Sequence, residues 1–332
     1  MTDPDPLDGL RPGMRAVVRR RIERGVTDVL GDVEAMDADT VSVRTRRGLE
    51  VIDRATVVAA KEVPPKPSRR GAPHLAISMD GLERTMVEGW LPLEREQLGD
   101  WLLRAASGFT GRANSVLPLG NPGILLSEAV DRCESWYDER GLRSLFSLFG
   151  PEGFAIDEDP LGRELLGRGY EPFTNTVVMT AATAGLPTEV PHPSGARVRL
   201  ESVISEPWWK AYAEQARAVS TSDTRSAART VMTSSPDQLF ASLDVDGAVI
   251  GVARVAFAQA WAGVFALRVA PDHRRTGVAL QLMGALADAS RARGIRSMYL
   301  QVTRANSPAR GLYERLGFSV HHEYRYLGGM TG

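Results

Sequence analysis

Residues 265–281 read FALRVAPDHRRTGVALQ. The apolar run from Val264 to Val269 predicts a strand, and Pro271-Asp272-His273 a turn. Val278 to Arg293 then carries apolar residues at helical spacing and stops at Gly294. A strand feeding a small-residue turn that opens a helix is an anion cradle. The first helical N–H groups have no partner within the helix, and the helix dipole places partial positive charge there. Gly277 lets the backbone approach phosphate oxygens closely, and Ala279 leaves room for them. Arg274 or Arg275 can add a bidentate, charge-assisted contact.

Further along, residues 306–318 read NSPARGLYERLGF. This is an Asn start, a helix carrying Tyr313, and a Leu-Gly-Phe end. The string Arg274-x-x-Gly277-x-Ala279 after Val269 resembles the acetyl-CoA loop of the GNAT superfamily of N-acetyltransferases, whose pattern is Arg/Gln-x-x-Gly-x-Gly/Ala. Residues 306–318 resemble the closing segment of the same family, and the resemblance covers residues 196–330.

The resemblance implies an α/β, mixed-sheet fold and acetyl-CoA as co-substrate. It assigns pyrophosphate binding to the loop amides of Arg275, Thr276, Gly277, Val278 and Ala279, with Arg274 at the first place of the motif. It gives pantetheine pairing to Leu267 and Val269, and a coenzyme contact to Asn306. A helix cap at Asn306 or Ser307 is expected in any case. Tyr313 matches the family's general acid, which protonates the departing thiolate; the alternative is an amphipathic core tyrosine. The attacking amine must be neutral, whereas a lysine-like amine has a pKa of ~10.4, so a base is needed. The strand Phe265 to Val269 carries no Glu. Glu201, Asp244, Glu323 and His321 are candidates that equally suit surface charges, and none is assigned.

Outward from this region the chain divides. Residues 11–65 hold short mixed runs (Arg15 to Arg20, Val26 to Val33, Thr40 to Arg44, Leu49 to Ile52) separated by Gly or Asp turns. Such closely spaced strands suggest a small barrel resembling an SH3-like barrel. Residues 63–73 (VPPKPSRRGAP) read as a linker. The expected organisation is an SH3-like barrel over 1–66, a linker over 67–84, a degenerate GNAT-like domain over 85–187 and a catalytic GNAT domain over 188–332.

The degenerate half rests on an internal repeat. YDERGLRSLFSLF at 137–149 aligns with SRARGIRSMYLQV at 290–302, and Gly169 with Gly317. The offsets are similar: 294 − 141 = 153 and 317 − 169 = 148. Helix, strand, short helix, strand occurs twice. The first copy has Leu119-Gly120-Asn121-Pro122-Gly123 where the arginine-rich loop would stand. Within it, Trp101 to Ala106 and Arg112 to Leu117 read as a hairpin, and Arg112, Asn114 and Ser115 either line a substrate pocket or satisfy turn hydrogen bonds. Trp208 and Trp209 open a helix flanking the acceptor entrance, one of them in the core.

Composition narrows the function classes. The 332 residues are 43% hydrophobic, which suits two or three domains, and the net charge of −1 gives no overall nucleic-acid footprint. Arg15, Arg19, Arg20, Arg21 and Arg24 leave a local basic patch to be tested. The single cysteine, Cys133, excludes an internal disulfide and a cysteine-clustered zinc site, and no metal is expected. The acidic N-terminus lacks a signal-like apolar run and no stretch reaches a membrane span, so a cytoplasmic protein is expected. The functional expectation is an N-acetyltransferase in which a primary amine, on a small molecule or a protein lysine, attacks acetyl-CoA directly in a ternary complex. The alternative is a catalytically weak acyl-CoA-binding sensor or scaffold whose barrel engages a partner or nucleic acid.

Overall fold

Alternation of apolar and polar residues builds the first strands. In Arg15–Ile22 (β1), Ala16 and Val18 are buried while Arg19 and Arg21 are exposed. Gly25–Met36 (β2), Thr40–Thr45 (β3), Gly48–Asp53 (β4) and Val57–Glu62 (β5) complete an antiparallel sheet of order β4-β3-β2-β1-β5. Val29, Val33, Val41, Val43 and Ile52 form its core. No closed barrel is found among the described residues. β5 adds to the free edge of β1, across a register shift at Arg19/Arg20, and does not pair with β4 among the described residues. The sheet therefore stays open. Arg15 faces Asp32 and Arg19 faces Asp28 across the β1–β2 ladder, and both pairs are bridged, as is Arg20 with Glu50. The arginine cluster is thus interleaved with acids rather than bare. Arg24 and the Arg69-Arg70 pair lie outside the described residues.

The computed structural model describes residues 5–7, 10–22, 25–45, 48–63, 73–187, 196–215 and 221–329. The chain divides into two units, Met1–Arg70 and Gly71–Gly332. The linker expected over 67–84 is shorter than that, because Ser78 caps Gly81 N–H and opens a helix at Met79–Gly89 (α1).

In the second unit, Glu94–Leu98 (β6) and Trp101–Ala105 (β7) make a hairpin; Arg112 to Leu117, expected as the return strand, contributes only a bridge at Leu117 and one at Val116. There follow Leu126–Asp138 (α2), Leu145–Gly150 (β8), Pro160–Gly167 (α3) and Glu171–Ala182 (β9). Ala196–Glu201 (β10), Glu206–Gln215 (α4), Ser222–Thr233 (α5), Gln238–Val245 (β11), Ala248–Ala258 (β12) and Trp261–Val269 (β13) come next. Val278–Ala292 (α6), Ser297–Thr303 (β14), Ser307–Arg315 (α7) and Ser319–Gly328 (β15) close the chain.

Apart from the two-stranded β6–β7 hairpin, these strands form one eight-stranded sheet of order β10-β11-β12-β13-β14-β9-β15-β8. Within it β13–β14 is a parallel pair, so the fold is α/β with a mixed sheet, as expected. The segments 85–187 and 188–332 do not form separate sheets. β9 is inserted between β14 and β15, pairing from Ser297↔Ala182 to Thr303↔Thr176 on one edge and Ser319↔Thr180 to Gly328↔Glu171 on the other. β15 in turn pairs with β8. The glycines of the sequence repeat share one physical role. Gly141, Gly169, Gly294 and Gly317, all with positive φ, sit just past the ends of α2, α3, α6 and α7, where the amides on both sides bond back to the last turn.

Two cores flank the sheet. On one face Met86, Trp90, Trp208, Met232, Phe265 and Tyr299 meet beneath α1, α4 and α5. On the other, Val264, Val278, Leu282, Leu286, Leu300 and Tyr313 meet beneath α6 and α7. Trp208 and Trp209 are both buried, where one was expected, and Trp208 donates to the carbonyls of Ala241 and Ala253. Among the described residues no helix is long and apolar enough to cross a membrane.

Candidate active site

The pairing between β13 and β14 stops early. It runs from Trp261↔Ser297 to Val264↔Leu300, yet β13 continues to Val269 and β14 to Thr303. The two strands therefore diverge, and the β13 edge beyond Val264 has no strand on that side. A bulge accompanies the divergence: Phe265 to Arg268 on β13 oppose Arg254 to Val252 on β12, and the extra residue is taken up where Ala266 has φ +55°. Leu267 and Val269, expected to pair with pantetheine, lie on this open edge, and their side chains join the α6 and α7 core.

The loop that follows carries the expected cradle. Arg275 and Gly277 have φ +63° and +92°, alternating with the flanking residues, which turns successive N–H groups toward a common side. Thr276 Oγ1 donates to the His273 carbonyl (2.7 Å), tightening the turn, and the Arg274 side chain returns to the Val269 carbonyl. The amide of Gln281 is the first in α6 to bond back, to Gly277. Among the described residues the amides from Arg275 to Leu280 donate to no backbone carbonyl. Gly277 is the N-cap, and a methyl group there would meet nothing within 4 Å. These donors thus lie on an exposed turn at the positive end of a 15-residue helix. Thr276 and both arginines are exposed, whereas the Val278 side chain is buried against Gly251, so Val278 offers only its N–H.

Tyr313 is buried on α7 (8% exposed) in the same cluster as Leu267, Val269 and Val278. Burial pushes its phenol up to about 12, and the Arg268 charge on the diverging part of β13 pulls the other way. The phenol is therefore neutral and protonated at ordinary pH. Asn306 caps α7 through Ala309 N–H (3.3 Å), and its amide nitrogen makes no hydrogen bond to a described residue.

On the opposite sheet face lies a narrow cavity of about 10 Å³, room for about one water, lined among others by Glu83, Trp90, Arg104, Arg112, Gln301 and Tyr324. Gln301 is the first β14 residue past the last β13 pair, and Trp90 stacks on Phe265 at 5.2 Å. The cavity therefore adjoins the point where the strands part. Arg112, one of the two readings for its segment, lines it, with its guanidinium over the rings of Trp90 and Phe265. Asn114 and Ser115 take the other role. Asn114 accepts from Ala106 and Gly108 N–H and donates to the carbonyls of Phe109 and Thr110, and Ser115 holds the buried Arg104.

The four candidate bases do not reach this cavity. Glu201 is exposed on an edge strand and Asp244 pairs with Arg199 at 3.0 Å. Glu323 is fully buried between Arg304 and Arg325; burial raises its pKa, but the hydrogen bond and charge of Arg304, with the bonds from Arg325 and the Gly153 amide, together leave it below its ordinary value. His321 lies behind His322. Glu83, Trp90, Gln301 and Tyr324 were not legible as site residues. The one signal for Glu83 was the Ser78 cap followed by Leu82 and Met86 at helical spacing, which marks α1 as a packed helix within the span read as linker.

Comparison with known proteins agrees with this geometry. The family described as the C-terminal part of the probable histone acetyltransferase Rv0428c matches residues 78–327. The probable histone acetyltransferase Rv0428c of Mycobacterium tuberculosis is 28% identical over 95% of this chain and 94% of its own. The uncharacterized N-acetyltransferase YobR of Bacillus subtilis is 25% identical over 74% of this chain and 96% of its own. In fold, a GCN5-related N-acetyltransferase from Kribbella flavida superposes with a TM-score of 0.57 at 17% identity, covering 77% of this chain and 98% of that one. With the diverging strands and the open helix N-terminus, these matches show an acetyltransferase of the GNAT type, and the chain belongs to the family of the C-terminal part of the probable histone acetyltransferase Rv0428c.

Proposed function

We propose that the protein transfers the acetyl group of acetyl-CoA to a primary amine, which attacks the thioester directly in a ternary complex. The observation that carries this reading is the run of unpartnered amides from Arg275 to Leu280 beside the open edge of β13. The donor set fits a diphosphate: fixed N–H groups, a helix dipole and the exposed Arg274 and Arg275. Leu267 and Val269 would pair with the pantetheine arm, and Asn306 would contact the coenzyme through its free amide. Tyr313 donates its proton to the departing thiolate. The acceptor amine approaches from the other sheet face, where Trp90 and Tyr324 line the narrow cavity. Protein lysines stand among the acceptors to test, because the Mycobacterium tuberculosis relative is named a probable histone acetyltransferase. A co-substrate made inside cells places the reaction in the cytoplasm.

We further infer that residues 85–187 are a degenerate copy of the transferase unit. The order α2–β8–α3–β9 repeats as α6–β14–α7–β15. In the first copy the loop before the helix is filled by the protein itself: Asp100 Oδ2 accepts from Asn121 N–H at 3.0 Å and lies where a side chain on Gly120 would point.

The test is calorimetric titration with coenzyme A followed by thiol release from acetyl-CoA in the presence of primary amines. Binding with thiol release supports the transferase. Binding without thiol release supports the acyl-CoA sensor instead, and absence of binding removes both.

A further inference from the structure

A hydrogen-bonded chain runs from α1 to β15 at the cavity wall. His321 Nε2 lies 2.9 Å from the carbonyl oxygen of Ile77, His321 Nδ1 lies 2.7 Å from His322 Nδ1, and His322 Nε2 lies 2.9 Å from Glu83 Oε1. A carbonyl brings no proton to such a contact, and neither does a carboxylate. Three contacts need three protons, whereas two neutral imidazoles supply one each. The chain therefore holds one proton more than two neutral rings and a carboxylate, and that proton balances the Glu83 charge. The one full negative charge in the chain is the Glu83 carboxylate, so the additional proton lies on the ring that contacts it, His322. Both partners are sequestered, His322 at 0% and Glu83 at 5% exposed.

Glu83 Oε2 accepts no hydrogen bond from a described residue, and Glu83 lines the cavity at the parting of β13 and β14. The other charged or titratable groups around this cavity are Arg104 on β7, Arg112 in the turn after it, and Tyr324 on β15. Neither Arg104 nor Arg112 bonds a carboxylate among the described residues, although the Glu83 charge acts on Arg104, and Glu83 is the one acid among the lining residues.

We propose that Glu83 is the catalytic residue that takes the proton from the attacking amine, with His322 the positioning residue that fixes Oε1 and leaves Oε2 turned to the acceptor. The assignment rests on the transferase reading above. The amine lone pair forms the C–N bond with the thioester carbonyl carbon, the N–H proton passes to Glu83 Oε2, and the C–S bond breaks. The thiolate takes the Tyr313 proton, and water returns a proton to Tyr313 and removes one from Glu83. The base thus comes from the segment that precedes the degenerate copy, not from the strand beside the thioester.

The experiment compares wild type with Glu83→Gln, Glu83→Asp and His322→Gln. Each is checked for an unchanged melting profile and coenzyme A affinity, then assayed for thiol release from acetyl-CoA with spermidine, lysine amide and a lysine-containing peptide. Glu83→Gln is expected to lower kcat about 100-fold or more and to abolish the acidic limb of kcat/KM. Glu83→Asp recovers part of the rate, and His322→Gln moves the limb without abolishing it. Nitrogen-15 spectra of the histidines give a readout that needs no turnover: one ring carries protons on both nitrogens near neutral pH in the wild type, and neither does in Glu83→Gln. Wild-type rates and pH profile in a folded Glu83→Gln protein overturn the assignment, as do two singly protonated rings in the wild type. A wild type that binds no coenzyme A or releases no thiol with any amine overturns the transferase reading, and this assignment with it.

Discussion

Substituting Gly277 by alanine separates the cost of folding from the cost of binding. The residue has φ +92° and caps α6, and a Cβ there would meet no atom within 4 Å. The folded protein therefore incurs no steric clash, only the left-handed backbone penalty of about 1–2 kcal/mol. Part of this, about 0.4–1 kcal/mol, is offset because alanine restricts the unfolded chain more than glycine does. The net loss is about 1 kcal/mol, a fall in melting temperature of about 2–4 °C for a chain of this size. Coenzyme binding is affected differently, because the methyl group is added at the cap of the helix, within the run of amides from Arg275 to Leu280 assigned to the diphosphate. Displacing the diphosphate from one charge-assisted hydrogen bond costs about 1.5–3 kcal/mol, or about 10- to 150-fold in Kd. Calorimetric titration with coenzyme A and with acetyl-pantetheine, which lacks the diphosphate, reads the difference. The variant should lose affinity for coenzyme A and keep its affinity for acetyl-pantetheine. Equal losses for the two ligands, or no loss for either, refute the assignment of this loop to phosphate.

Other consequences follow from the same geometry. Tyr313→Phe should leave coenzyme A affinity within about twofold while lowering kcat by about 10²-fold; a matching loss of affinity would mean that the ring only supports the coenzyme site. Gly89→Ala would place a methyl group 2.5 Å from Tyr299 Oη and 2.9 Å from Phe265, both held in the core, and should lower stability by about 1–3 kcal/mol in chemical denaturation. Burial raises the phenols of Tyr137, Tyr299, Tyr313 and Tyr326 above their unfolded value. A raised folded pKa contributes stability that is present below the unfolded pKa and lost as pH climbs past it. Melting temperature should therefore hold below about pH 10 and fall between about pH 10 and 12, and a flat profile there would contradict the burial of these groups. Residues 188–332 expressed alone should fail to give a soluble protein, and co-expression with residues 71–187 should restore it, because β14 and β15 both lose β9; a cooperative melt from the isolated segment would refute this.

What the sequence made legible is what is local along the chain. Strand, turn and helix from Val264 to Gly294 are consecutive, so the pattern alone gives the cradle, its glycine and its dipole, and the NSPARGLYERLGF segment gives α7 with Tyr313. The repeat was legible for the same reason, since each glycine ends a helix by bonds reaching only a few residues. What was not legible depends on pairing between distant residues. Nothing in the period of Glu171 to Ala182 says that it lies between β14 and β15, because an apolar strand fits any two open edges. The barrel expectation meets the same limit: the runs of residues 11–65 are strands, but whether their outer edges meet depends on where β5 docks. Glu83 combines both difficulties, because its partner His322 is 239 residues away.

The insertion of β9 between β14 and β15 gives residues 85–187 a structural part in the opening. Without β9, β14 would have free edges on both sides past Leu300, since it parts from β13 there. A wedge between two strands holds its shape only if each is fixed on its far side: β13 by β12, through Val269, and β14 by β9, through Thr303. The first segment therefore fixes one wall of the opening in which the thioester would lie. Its turn at Gly111–Ala113 also supplies Arg112 to the acceptor face, while α1, just before it, supplies Trp90's neighbourhood and Glu83. The loop around Gly120 is closed by the protein itself, because Asp100 accepts from Asn121 N–H. Selection on such a segment acts on strand register and on a few cavity side chains. Substitutions in β9 should therefore change turnover through the width of the opening, even though no β9 residue lines the cavity.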